Sequence, residues 1–298
     1  MNYLPLLQVF SYVCGLIFIV AFTIKAISYA RMPIHLRWEL YPIVSDKDRP
    51  YGGSYHEDLD WWHRPLRRSP GSELKYMISE VLLFREYFRR NRPYWYFVYP
   101  FHIGIFLFVV WLLILFIQTL FTTGPISSFN IASLIIGLAG LVIGTAGTAG
   151  IIVKRLYSED LRNYTSPRDI FDLLLIAAVF VSGICSWYFS GLSFSGIVGY
   201  FRSLFTFGTT SLNPATIIFI LLLGILFAYM PFTKMMHYLA KYFTYHKVRW
   251  DDKPNLPGSN IEKKVQQVLN KRVSWSAPHA QPGKTWAETV NNPQDSKK

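Results

Sequence analysis

Residues 94–120 read YWYFVYPFHIGIFLFVVWLLILFIQTL, an apolar run without one Asp, Glu, Lys or Arg and with a single histidine, His102, near its start. Crossing the hydrocarbon of a bilayer, about 30 Å thick, takes roughly 20 helical residues. No water is available there to satisfy a backbone amide, so a run of this kind has to close its hydrogen bonds internally as a helix. Four more runs of similar character lie at 6–29, 131–153, 170–189 and 215–238. Together they predict an all-α membrane protein, a five-transmembrane-helix bundle over residues 1–250 followed by a tail at 251–298. The composition agrees: 51% of residues are hydrophobic and 16% charged, as expected for apolar blocks separated by polar connections. The first run has neither a basic start nor a small-residue cleavage site, so it reads as a retained helix and not a cleaved signal.

The net charge of +12 raises the question of nucleic acid, and the positions of the 30 basic residues answer it. Twelve lie between Arg31 and Arg92, four between Lys154 and Arg168, and twelve between Lys234 and Lys298, whereas the connections 121–130 and 190–214 hold only Arg202. Lys and Arg are retained on the cytoplasmic side during insertion. The asymmetry therefore predicts a periplasmic N-terminus, a cytoplasmic C-terminus and an inner-membrane location. The positive loops suit anionic lipid or an acidic partner, and no nucleic-acid motif accompanies them.

Loop 30–93 is too long for a simple connector and is expected to be ordered. Its segment 33–42 is bracketed by prolines and mixes aromatic with charged residues, which suits the headgroup level. After Gly52-Gly53 and the cluster Asp60-Trp61-Trp62-His63, a helical pattern over 72–90 places Leu74, Met77, Ile78, Val81, Leu82, Arg85 and Phe88 near one face. With Lys75, Arg85, Arg89 and Arg90 it reads as an interfacial helix. In the tail, Ile261, Val265, Val268, Leu269 and Val273 share a face behind a Ser259/Asn260 cap, and the polar residues beyond Ser276 are expected to lack order of their own. The only cysteines, Cys14 and Cys185, fall in predicted spans. They cannot form the four-ligand set of an iron–sulfur cluster, so such a cluster belongs to another subunit.

Of the seven histidines, only His102 and His237 fall within predicted spans. An ionisable group at that depth is costly and calls for a partner. The second and fifth spans run in opposite directions, which brings both histidines into the same leaflet, at depths that differ by less than the breadth of a porphyrin. Two facing imidazoles there suit the axial positions of a b-type haem, whose closed coordination restricts it to one-electron transfer. Helix packing through interhelical hydrogen bonds is the competing reading. Lys234 and Arg155 suit haem propionates, or are ordinary positive-inside flanks. Gly137, Gly140, Gly144, Gly147 and Gly150 form a drifting stripe that admits either a neighbouring helix or a flat ring. Asp169 and Asp172 open the fourth span as capping residues or as proton acceptors.

The stretch Met230-Pro-Phe-Thr-Lys-Met-Met-His237 is similar to the Pro-Phe-Ser-Arg-Leu-Val-His sequence that ends the last helix of the gamma-subunit cytochrome b of respiratory nitrate reductase. Phe101-His102-Ile-Gly104 resembles that family's Phe-His-Phe-Gly, and Val153-Lys-Arg-Leu156 the basic end of its third helix. The resemblance covers all five spans and extends to related subunits of sulfate-reducer and heterodisulfide-reductase-type complexes; loop 30–93 lies outside it. It implies haem ligation by His102 and His237. Nitrate reductase gamma subunits carry two haems on four histidines, whereas the positions corresponding to the second pair are here Leu112 and Phe219. Both ligands of one site are gone and both of the other remain, which implies one haem b.

The expectation is thus a monohaem cytochrome b subunit of a quinone-linked oxidoreductase complex. It would exchange electrons between menaquinone and a cytoplasmic iron–sulfur subunit, with Tyr99, Lys234, Arg155 and Asp169 as candidates for quinone contact or proton exchange. The alternative is a non-redox membrane anchor that recruits a cytoplasmic oxidoreductase. A solute transporter would show inverted repeats and interrupted midplane helices, and neither is evident.

Overall fold

The structure, a computed structural model, describes residues 3–31, 70–121, 127–244, 256–277 and 280–291. The segment 33–42, the Gly52-Gly53 turn and the 60–63 cluster lie outside these residues. The helices are α1 (Leu4–Arg31), α2 (Pro70–Leu82), α3 (Arg85–Arg90), α4 (Arg92–Phe121), α5 (Ser127–Tyr157), α6 (Glu159–Asn163), α7 (Pro167–Phe189), α8 (Ser195–Thr206), α9 (Pro214–Tyr229), α10 (His237–Thr244), α11 (Asn260–Leu269) and α12 (Trp286–Val290). Among the described residues, five segments are long and apolar enough to cross a membrane: Leu4–Arg31, Arg92–Leu120, Ile131–Tyr157, Pro167–Phe189 and Pro214–Phe232. Each overlaps one of the five apolar runs of the sequence. Many of their Leu, Ile, Val and Phe side chains point outward, Leu6, Leu16, Ile135 and Ile218 among them. That surface is suited to lipid and not to water.

The chain forms two compact units, Met1–Phe22 with Met77–Lys234, and Thr23–Tyr76 with Met235–Lys298. The most extensive packing in the first unit is between α4 and α5. Lipid gives no hydrophobic drive to bring helices together, so close van der Waals approach has to do it, and small residues permit that approach. A methyl group on Gly104 would overlap the backbone of Gly144, and one on Gly147 would overlap the backbone of Phe101. Phe97 faces Gly150, Phe108 faces Gly140 and Trp111 faces Gly137 in the same antiparallel register. The glycine stripe therefore receives helix α4, which decides between the two readings of it left open by the sequence.

Further along this seam, aromatic rings close the interior. Trp111 is fully buried and donates from Nε1 to Ser133 Oγ at 3.1 Å. Around it lie Phe194 at 4.5 Å, Phe108 at 5.6 Å and Phe219 at 6.1 Å between ring centroids, and Phe108 packs edge-on against Phe180 at 5.3 Å. Contacts of this geometry contribute about 0.5–1.5 kcal/mol each beyond their burial.

The connection 190–214 contains a helix, α8, that the sequence reading did not anticipate. Its pattern buries Ile197, Tyr200 and Ser203. Tyr200 donates to the Leu7 carbonyl at 2.8 Å and its hydroxyl lies 2.7 Å from Ser11 Oγ, while Gln8 Nε2 reaches Ser203 O and Oγ at 3.2 Å. Burial pushes the Tyr200 phenol up to about 12, against a smaller opposing contribution from Ser11. The α8 helix is thereby fastened to the start of α1. On its other edge α1 meets α9, where Phe18 packs on Phe227 at 5.3 Å and Phe10 and Cys14 lie against Gly224.

In the second unit, Tyr29 near the end of α1 meets Phe243 of α10 at 6.3 Å. The tail is more ordered than its composition suggests. Ser259 caps α11 by accepting from Glu262 N, and Ile261 and Val265 are buried with Leu269 packed on them. Val273 N donates to Lys284 O at 2.7 Å and Trp286 N to Lys271 O at 3.0 Å, which folds the segment back before α12. Beyond Ser276, residues 280–291 are also folded, with a Thr285/Glu288 capping box at the start of α12. Hydrogen bonds from Thr285 to the carboxylate hold Glu288 below its ordinary range.

Gly147→Leu is expected to destabilise the protein by about 1–3 kcal/mol or more, because the new side chain meets backbone that cannot move aside. Thermal unfolding in detergent checks this, with Gly15→Leu as the control, since a side chain at Gly15 has open space.

Candidate functional site

His102 occupies the second turn of the apolar part of α4, just after Pro100, which lies inside the helix. Phe101, Gly104, Phe108 and Trp111 face α5, and His102 is turned from Phe101 by about 100°, the step of one helical residue. Its imidazole is half-buried. Nδ1 lies 2.8 Å from the Val98 carbonyl, one turn back. A carbonyl can only accept, so Nδ1 carries the proton and the lone pair of the neutral ring belongs to Nε2. Such a contact leaves Nε2 as the ring's acceptor atom and fixes the ring's orientation.

The sequence pattern over 72–90 predicted one interfacial helix, but the structure breaks it at Phe84. The backbone there is left-handed, with φ 49° and ψ 44°. The buried Glu80 explains the break: its carboxylate accepts from Glu86 N at 3.3 Å, satisfying an amide that opens α3. Exposed Leu74, Ile78, Val81, Leu82 and Leu83 give α2 and the joint an apolar outer face, in keeping with the interfacial reading. Trp95 donates from Nε1 to the Leu83 carbonyl at 3.3 Å, and Phe84 lies against His102 with ring centroids 4.8 Å apart. Tyr99 stacks on Trp95 at 4.3 Å and meets Phe84 at 6.4 Å.

Arg155 lies near the end of α5, level with Pro93 by the register of the two helices. That is about 13 Å along the axis from the level of His102, at 1.5 Å per residue. Its Nη1 makes a long contact of 3.4 Å with Thr165 Oγ1. Its Nε is buried and without a hydrogen-bond partner among the described residues. The guanidinium also acts on Tyr87: burial, helped by Tyr94, raises that phenol, and Arg155 partly offsets the rise. A buried, unbonded guanidinium N–H fits an acidic group such as a propionate.

Lys234 is placed differently. Its Nζ pairs with Asp169 Oδ1 at 3.0 Å, and Asp169 also forms a capping box with Ser166 at the start of α7. The other acidic residue, Asp172, is buried inside the same helix and accepts from the Tyr229 hydroxyl at 2.9 Å. Arg168 spans this corner, donating to the Phe232 carbonyl at 2.6 Å with its guanidinium 5.9 Å from the Tyr229 ring centre. The pairing of Asp172 with Tyr229 was not anticipated from the sequence, because a tyrosine 57 positions away carries no local signal.

The predicted fifth span, 215–238, also needs correction. Helix α9 ends at Tyr229, and two 3-10 turns, Met230–Phe232 and Lys234–Met236, follow before α10 begins at His237. Pro231 lacks the amide that would continue the helix. His237 is therefore the first residue of a new helix, and it is exposed.

A family model described as nitrate reductase gamma subunit matches residues 89–251. The chain belongs to that family. Among its relatives, the Hdr-like menaquinol oxidoreductase cytochrome b-like subunit of Archaeoglobus fulgidus is 22% identical over 269 residues, covering 78% of this chain and 76% of the relative. The subunit of the same description from Archaeoglobus profundus is 22% identical over 291 residues, covering 83% and 82%. No solved structure matches the chain. Family membership and the five apolar helices make this gamma-family chain a multi-pass membrane protein. The matched stretch contains His102, Arg155, Lys234 and His237, and it excludes Phe84.

Two contacts of this corner differ in expected weight. Tyr229→Phe leaves a buried carboxyl without its donor and is expected to cost about 1–3 kcal/mol. Lys234→Gln removes a pair whose lysine is 76% exposed and is expected to cost at most about 1 kcal/mol. Thermal unfolding of both variants side by side measures the difference.

Proposed function

We propose that the chain is the monohaem cytochrome b subunit of a membrane oxidoreductase complex, passing electrons between menaquinone and a cytoplasmic iron–sulfur subunit. In this reading it lies in the inner membrane with its N-terminus periplasmic and its C-terminus cytoplasmic, as the distribution of basic residues supports. The observation that carries the proposal is the setting of His102 in a gamma-family chain: an imidazole fixed through Nδ1 by the Val98 carbonyl, with the buried Arg155 Nε left for an acid. The relatives' descriptions, which name menaquinol and a cytochrome b-like subunit, support the substrate and the role.

His102 and His237 would be the axial ligands and Arg155 a propionate partner. Lys234, already paired with Asp169, would share itself between that carboxylate and a second propionate. When bound, such a haem supplies one-electron transfer with no open coordination position. The residues do the rest. The Val98 carbonyl holds the proton of His102 on Nδ1 and so keeps Nε2 a ligand. One haem, not two, is supported by position 219, where the fully buried Phe219 packs against Trp111 in place of a ligand.

A quinone needs polar partners near the headgroup level. Asp169, at the start of α7 and paired to an exposed lysine, is a candidate for that contact. Tyr99 is a further candidate for quinone contact.

The test is a reduced-minus-oxidised spectrum of the purified protein with a haem-to-protein ratio. The expected result is b-type bands at one haem per chain, lost in His102→Ala and in His237→Ala. Normal bands in both variants would refute the ligand assignment. An iron-free wild type that still copurifies with its oxidoreductase would establish the non-redox anchor instead.

A further inference from the structure

Among the described residues of loop 30–93, Phe84 lies with its ring against the candidate ligand. Its left-handed backbone is unfavourable for a residue with a side chain by roughly 1–2 kcal/mol, so the surrounding contacts must hold it there. Three do so. The buried Glu80 carboxylate accepts from Glu86 N on the far side of the joint, Trp95 Nε1 donates to the Leu83 carbonyl, and Phe88 packs on Trp95 at 4.9 Å. The result is a short joint clamped to α4 with one ring pressed against His102 at 4.8 Å and edge-on to Tyr99 at 6.4 Å. The imidazole is thus held from two directions, by the Val98 carbonyl along its own helix and by the Phe84 ring from outside it.

We propose that Phe84 is a positioning residue for His102: it fixes the imidazole plane and excludes water from the ligand, so that the chain's own loop completes a site begun by the spans. This rests on the haem reading above. The observations that carry it are the ring contact and the clamped left-handed joint, both of which lie ahead of the stretch that the family model matches. The dielectric and solvent access around a metal ligand set its redox potential. Removing the phenyl admits water, favours the more highly charged ferric state and lowers the potential. A ligand freed to rotate also leaves its iron part of the time.

The experiment uses the full chain in detergent. Phe84→Gly deletes the ring while keeping, and easing, the left-handed turn; Phe84→Leu keeps apolar bulk without the ring's flat contact; Phe84→Tyr restores the ring. Haem content, midpoint potential and carbon monoxide binding to the reduced protein are measured for each. The expected result is retained haem in all three. Phe84→Gly shows a lower midpoint potential and carbon monoxide binding absent from wild type, Phe84→Leu a smaller change in the same direction, and Phe84→Tyr the wild-type values. Should Phe84→Gly fail to accumulate, Phe84→Leu against Phe84→Tyr decides. Wild-type potential and carbon monoxide inertness in the Gly and Leu variants would overturn the positioning role alone. Absence of haem from wild type would overturn the haem reading and this inference with it.

Discussion

Helices α4 and α5 meet where Gly104 and Gly144 leave no room for a side chain, and the placement of the candidate groups on these two helices follows from that contact. A glycine-lined seam fixes the register of two antiparallel helices to within a residue, since a slip would bring a side chain onto backbone. The register settles how far Arg155 lies from His102 along the bundle. It also settles which face of α4 is used up in packing, leaving His102 about 100° away and available to a different neighbour. In lipid such a seam is the main source of association, because water is not there to drive apolar surfaces together.

Toward Trp111 the interior is filled by stacked and tilted rings, with Phe219 fully buried among them. At the junction of α7 and α9, by contrast, charged groups gather: Asp169, Asp172, Lys234 and Arg168. An intramembrane carboxylate such as Asp172 is affordable only with a donor at hand, and Tyr229 supplies it.

How much of this was legible beforehand depended on whether the signal was local. The five spans were readable because a bilayer imposes a length and a composition on each helix independently of its neighbours. The Ser259 cap was readable too, being set by residues within one turn. The break at Phe84 was not: the apolar spacing of 72–90 runs straight through it, and the cause is a buried Glu80 that reads as an ordinary charged residue of an interfacial helix. Helix α8 was missed because a short amphipathic stretch between Gly and Pro residues looks like a connector until Tyr200 and Ser203 find partners on α1. At Pro231 the signal was present, since a proline cannot extend a helix, but the hydrophobic run across it masked the stop. Pairs such as Asp172 with Tyr229 depend on which helices become neighbours, which no window of sequence contains.

The fastening of α1 has a temporal side. Its hydrogen-bond partners on α8 lie 189 to 195 residues later in the chain, and its ring contact on α9 later still. At 5–20 residues per second of synthesis, α1 waits roughly ten to forty seconds for the segments that secure it. During that wait Gln8 and Ser11 have no native partner within the bilayer. The nascent chain thus carries a polar edge until α8 emerges, and this corner of the bundle closes only after α8 has been made.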